Sequence, residues 1–174
     1  NIAVERNSMR ASLLIALAAA GCAAPTFAEC PAGGMMLPVE YAAWTSAQPL
    51  ISAADAKGLN SAEFVTAEAF DIRLHPDGEV TYLTLPKGAG DPASFGGLAR
   101  FEVKQAGTYR VALGDFAWVD VDRDGKPLDP VSFGHGPKCT AVKKIVDYKL
   151  EPGTYALEIS GNTAPQLRLM LLRL

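Results

Sequence analysis

An all-β fold is what this sequence predicts: an antiparallel β-sandwich, jelly-roll-like, with an irregular N-terminal wrap. Three observations carry that expectation. From about Phe70 onward, short segments alternate apolar and polar residues, which is the period-two signature of a half-buried strand. Gly, Pro and Asp interrupt those segments at roughly the 8 to 12 residue spacing of sandwiches and barrels. One short repeat is also visible, FEVKQAGTYRVAL (101–113) and YKLEPGTYALEI (148–159), each an apolar strand, a turn on Ala/Pro-Gly and a Thr-Tyr that opens the next strand. Glycine tolerates the positive φ such turns need, and proline presets φ before it, so both copies read as hairpins.

The elements follow in chain order. Residues 1–28 read as upstream residues and a cleaved secretory signal. Arg10 supplies the basic start, ASLLIALAAA the apolar run, and Thr26-Phe27-Ala28 the small-residue site before Glu29. The run falls short of the roughly 20 residues a membrane-spanning helix requires, and no later segment approaches it. The alternative is a lipobox at Ala19-Ala20-Gly21-Cys22, which would leave a lipoprotein anchored through Cys22. Either way the expected location is periplasmic or secreted.

Residues 29–66 are rich in Ala, Pro and Ser and form the expected wrap, with at most a short helical turn at Leu37-Pro38-Val39-Glu40-Tyr41-Ala42-Ala43-Trp44. Tyr41 and Trp44, three apart, share a face there. Residues 67–174 form the sandwich, one domain with the wrap. Its expected strands are 69–75, 80–85, 98–103, 108–113, 117–121, 128–133, 142–150, 154–159 and 167–174. The core face should hold Phe101 and Val103, Tyr109, Val111 and Leu113, Val119 and Val121, Val146, Tyr148 and Leu150, then Tyr155, Leu157 and Ile159. The last segment, QLRLMLLRL, is apolar on both faces: Leu167, Leu169 and Leu171 point one way, Met170, Leu172 and Leu174 the other. A strand of that kind needs cover on both sides, and the wrap is the expected second cover.

Three cysteines are present. Cys22 leaves with the signal or is acylated, so the exported chain keeps Cys30 and Cys139, which in an oxidising compartment read as one disulfide. The formal net charge is −3 and no basic stripe occurs, which argues against a nucleic-acid partner.

Several constellations bear on chemistry. Asp120-Val121-Asp122-Arg123-Asp124-Gly125 matches the first half of a calcium loop through Asp120, Asp122 and Asp124, but the twelfth position is Val131 instead of a bidentate Glu. The favoured reading is a hairpin turn at Asp124-Gly125. The two histidines, His75 and His135, with Asp120 would make a two-imidazole, one-carboxylate iron site; Asp71, Asp77 and Glu79 are other third ligands by type. No G-x-S-x-G is present, and the glycines of Lys87-Gly88-Ala89-Gly90 and Phe95-Gly96-Gly97 precede strands, so they build no phosphate loop. A binding surface is expected where Trp118 and Asp120 share the outward face of their strand, near the loop that carries His135 and Lys138; a Trp beside carboxylates suits sugars or cations.

LPVEYAAW, FGGLARFEVKQAGTYRVALGDFAWVDVDRDGKPL and FGHGPKCTAVKKIVDYKLEPGTYALEISGNTAPQLRLMLLRL together resemble a group of small exported bacterial proteins of unknown function. The name homogentisate 1,2-dioxygenase is commonly attached to that group, which implies an iron-dependent ring-opening enzyme. The hairpin spacing is also similar to pre-peptidase C-terminal and carbohydrate-binding-type β-sandwiches. The functional expectation is an exported, non-catalytic ligand-binding or envelope-associated module with no cofactor. Its partner would be a small molecule, a glycan or an envelope component. The alternative is a small non-haem metal-dependent oxygenase using His75, His135 and an Asp.

Overall fold

Period-two alternation produces two β-sheets packed face to face in the computed structural model, which describes residues 30–86, 91 and 93–174. The proposed leader and lipobox lie outside the described residues, as does the Lys87–Gly90 segment. The strands are β1 (Gln48–Ile51), β2 (Glu63–Phe64), β3 (Ala69–Arg73), β4 (His75–Pro76), β5 (Phe95–Val103), β6 (Gly107–Leu113), β7 (Trp118–Arg123), β8 (Lys126–Pro127), β9 (Ser132–His135), β10 (Lys144–Leu150), β11 (Gly153–Asn162) and β12 (Gln166–Arg173). One sheet has the order β1-β3-β12-β6-β10-β9. The other runs β2-β5-β11-β7-β8, with β4 also paired to β5.

The residues expected to face inward do so. Phe101, Val111, Leu113, Val121, Tyr148, Leu157, Ile159, Leu169 and Leu171 are all buried in one cluster between the sheets. Neither copy of the repeat is the hairpin expected: β5 and β6, and likewise β10 and β11, lie in opposite sheets, so each turn carries the chain across the sandwich before Gly107 opens β6 and Gly153 opens β11.

Three further expectations need correction. The sandwich is mixed, because β1 pairs parallel with β3 and β2 pairs parallel with β5. Both of these strands come from residues 29–66, so the wrap is less irregular than its composition implies and contributes an edge to each sheet. The chain leaves β1, visits the other sheet through β2 and returns as β3 in its original direction. Residues 80–85 form no strand. Their backbone donors find other acceptors: Thr81 N–H bonds Ala54 O at 2.8 Å, and Leu83 and Thr84 N–H point at the Glu158 carboxylate. Residues 128–133 are not one strand either. Pro130 has no N–H to give a ladder, and the chain crosses there from β8 in one sheet to β9 in the other.

The outer cover of β12 is where the alternation places it. Met170 and Leu172 pack with Tyr41, Trp44, Ala69, Ala112 and Val142 in a second apolar cluster. Tyr41 and Trp44 sit in a 3₁₀ segment, Val39–Ser46. Arg168 of β12 ties that segment down: it holds Asp71 through two bonds of 2.7 Å and donates to the Trp44 carbonyl at 3.1 Å. A disulfide joins Cys30 to Cys139, with their Cα atoms 5.3 Å apart, and Met35 N–H donates to the Cys139 carbonyl at 2.8 Å.

The segment Gly134-His135-Gly136-Pro137-Lys138-Cys139 is thus a braced corner. A Cβ placed on Gly136 would lie 2.2 Å from the Val142 carbonyl oxygen, which is backbone and has little room to yield. Gly136→Ala is therefore expected to cost about 1 to 3 kcal/mol, the range for overpacking, read as a lower urea midpoint.

Candidate functional site

Strand β7 is long and its neighbour β8 is short, and that mismatch builds a cleft. β8 pairs only with Asp122 and Arg123, after a turn in which Asp124 and Gly125 have φ of 56° and 76°. Positive φ at two successive residues marks the type I′ hairpin expected of Asp-Gly. Beyond it, Leu128 N–H reaches Val121 O at 2.8 Å, and the edge of β7 then faces the opposite sheet. Two side chains of β10 serve as donors there: Lys144 Nζ donates to the Ala117 carbonyl at 2.7 Å and the Tyr148 hydroxyl to the Val119 carbonyl at 3.1 Å.

The resulting cleft has a volume of about 460 Å³. Its walls include Thr84, Leu85, Trp118, Asp120, Leu128, Phe133, Lys144 and Tyr148. Trp118 is 37% exposed, Phe133 77% and Leu85 91%, so the mouth is apolar and open to a ligand. The indole is fixed in place. Its Nε1–H donates to Asp120 Oδ2 at 2.8 Å, and Lys144 Nζ sits 5.2 Å from the ring centroid, a cation–π contact. Burial pulls the Lys144 ammonium down, with the Asp120 charge acting in the opposite direction. Burial, then the same Asp120 charge, push the Tyr148 phenol well above its ordinary value. The Ala117 and Val119 carbonyls hold both groups as donors, and the site offers an aromatic wall, carboxylate acceptors and a lysine side chain.

Of the residues singled out as a binding surface, Trp118 and Asp120 line this cleft. His135 stands at the end of β9, edge-on to Phe116 at 5.7 Å, and Lys138 lies in the corner beyond it; neither lines the cleft. His75 is in β4, paired to β5, whereas His135 is at the rim of the other sheet. His75 Nε2 is 2.9 Å from the Ser52 carbonyl, which can only accept, so that nitrogen carries the hydrogen. Among the described residues no three His, Cys, Asp or Glu side chains gather to hold a metal ion. In the calcium-like string, Asp122 is buried and caps the turn through Gly125 N–H at 2.8 Å, Asp124 is exposed at the bend, and Asp120 points to Trp118.

Lys144, Tyr148, Phe133 and the Thr84–Leu85 wall were not legible as site residues. A signal did exist for Lys144. It is in phase with Val146 and Tyr148, which places a lysine on an otherwise inward face.

No family model matches this sequence, and neither does any curated protein sequence. Among solved structures, the chain is similar to the pre-peptidase C-terminal domain of a collagenase from Bacillus anthracis. That match has 11% sequence identity and a TM-score of 0.38, and covers 63% of this chain and 91% of that domain. The chain's own two-sheet arrangement makes it a β-sandwich module. Among the described residues no helix is long and apolar enough to cross a membrane.

Proposed function

We propose that this protein is an exported β-sandwich binding module that seats a saccharide of the cell envelope in the Trp118 cleft. One observation carries the reading: an indole held rigid by Asp120 and Lys144 at the wall of an open cleft. A sugar ring presents C–H groups to such a face and hydroxyls to a carboxylate, and both are met by Trp118 and Asp120. Export is supported by the Cys30–Cys139 bond, because such bonds persist in oxidising compartments.

The test is fluorescence and calorimetric titration with chitin oligosaccharides and soluble peptidoglycan fragments. Trp44 is buried, so a ligand-induced spectral change reports Trp118. Trp118→Ala is expected to weaken binding by about thirtyfold, the loss of one aromatic anchor worth about 2 kcal/mol. Trp118→Phe should retain most of the affinity while losing the signal. No heat and no spectral change across the panel would sink the reading.

A further inference from the structure

Glu158 is a carboxylate on the outer face of a central strand, yet it is only 1% exposed, a burial at which a small or apolar residue is the ordinary choice. Its oxygens have a defined task. Glu158 Oε2 accepts from Leu83 N–H at 3.1 Å, and Oε1 accepts from Thr84 N–H at 3.3 Å and from the Thr84 hydroxyl at 3.0 Å. Thr84 and Leu85 form one wall of the Trp118 cleft, so this carboxylate fastens that wall to the sheet. A second anchor lies two residues before Thr84: the Tyr82 hydroxyl donates to buried Asp77, which also accepts from Ser94 and from Gly161 N–H.

The charges around Glu158 are mostly of its own sign. On β7, Asp120 is its direct cross-strand partner, and Asp122 is one pair further along the same face. Asp122 Oδ2 is buried and has no hydrogen-bond partner. From the covering segment comes Tyr82, whose phenol is pushed up by burial and by the Asp77 and Glu158 charges. On β5, Leu98 is opposite Glu158, and the next charged residue, Arg100, is engaged by Asn60 at 2.9 Å and by Glu63 at 2.8 Å. No cation among these groups is free to neutralise Glu158.

We infer that Glu158 is a positioning residue for the cleft, a clamp that sets the Leu83–Leu85 wall. The cleft's role in binding rests on the function proposed above; the clamp itself does not. With no cation at hand, the buried carboxylate is compensated by the wall's own donors, Leu83 N–H, Thr84 N–H and the Thr84 hydroxyl. Burial raises the Glu158 carboxyl and these donors act against that rise. Lifting the wall would leave both sides with lost hydrogen bonds, which is what holds the wall on the sheet.

Amide hydrogen exchange of residues 82–85 in the mature chain tests this, corrected for intrinsic rates, with urea unfolding to follow global stability. Glu158→Ala removes the acceptor of all three donors and is expected to lower protection of Leu83 and Thr84 about tenfold, with the core strands unaffected. Glu158→Gln keeps one acceptor oxygen but sets an amide NH2 against the remaining donor, so its protection should fall between Glu158→Ala and wild type. Wild-type protection of residues 82–85 in Glu158→Ala, or a loss spread evenly over the strands, would overturn the clamp. Exchange needs no ligand: a local loss of protection in a protein that binds no saccharide would remove the binding reading and support the clamp, while intact binding with unchanged exchange in Glu158→Ala would do the reverse.

Discussion

Trp44→Ala is expected to destabilise the protein by about 3 to 5 kcal/mol, the range for truncating a buried aromatic residue. Trp44 is 2% exposed although it belongs to a 3₁₀ segment outside both sheets. It packs in the cluster that holds Met170 and Leu172, and its carbonyl accepts from Arg168. Removing the indole opens a cavity over the second apolar face of β12, and the edge pairing of β1 with β3 loses support beside it. Urea unfolding reads the loss, with Val39→Ala as control, since Val39 in the same segment is 87% exposed. A change below about 1 kcal/mol for Trp44→Ala, the scale of a surface substitution, would mean that the N-terminal segment does not cover the sheet in solution.

The second large effect is expected from the disulfide. Cys30 and Cys139 are 109 residues apart in sequence, so the bond ties the segment before the Val39–Ser46 turn to the corner before β10. Constraining a loop of that length in the unfolded chain is worth about 4 to 5 kcal/mol by chain entropy, and removing native disulfides from small secreted domains typically costs about 2 to 5 kcal/mol. The Cys30→Ala, Cys139→Ala double variant should lose stability within that range while keeping the far-UV spectrum of a β protein. It should also raise hydrogen exchange near Met35, whose amide bonds to the Cys139 carbonyl. An unchanged urea midpoint would show that the cross-link does not restrain the chain.

How much of this was readable beforehand depended on the range of the interactions. Val119 and Val121, or Tyr155, Leu157 and Ile159, declare their burial through two-residue spacing, because a strand has only two faces. Asp124-Gly125 declares its turn because positive φ at two successive residues admits few residue types. The doubly apolar β12 announced that something must cover it, and the wrap was the segment available. The two false strands have a common cause. Residues 80–85 and 128–133 carry apolar residues at strand-like spacing, but whether a strand forms depends on a partner with open donors and acceptors. At 80–85 that role falls to the Glu158 carboxylate, 74 and 75 residues away in sequence. At 128–133 a proline interrupts and the chain changes sheets.

The candidate site divides in the same way. Trp118 and Asp120 were legible because they share one strand and one face, whereas Lys144, Tyr148 and Thr84 reach the cleft from other strands and a covering segment. His135 looked like a site residue because its neighbours are unusual; those glycines, proline and cysteine serve a braced corner instead. By itself the sequence determined the β class, the core faces, the type I′ turn, the doubly buried last strand and the cysteine pair, all set by local sterics or by the count of available partners. Only the tertiary structure decided the parallel edge strands, the course of residues 80–85 and the meeting of Trp118 with Lys144. Those depend on which distant groups can satisfy one another's hydrogen bonds and charges, and alternation along one strand carries no information about what lies across from it.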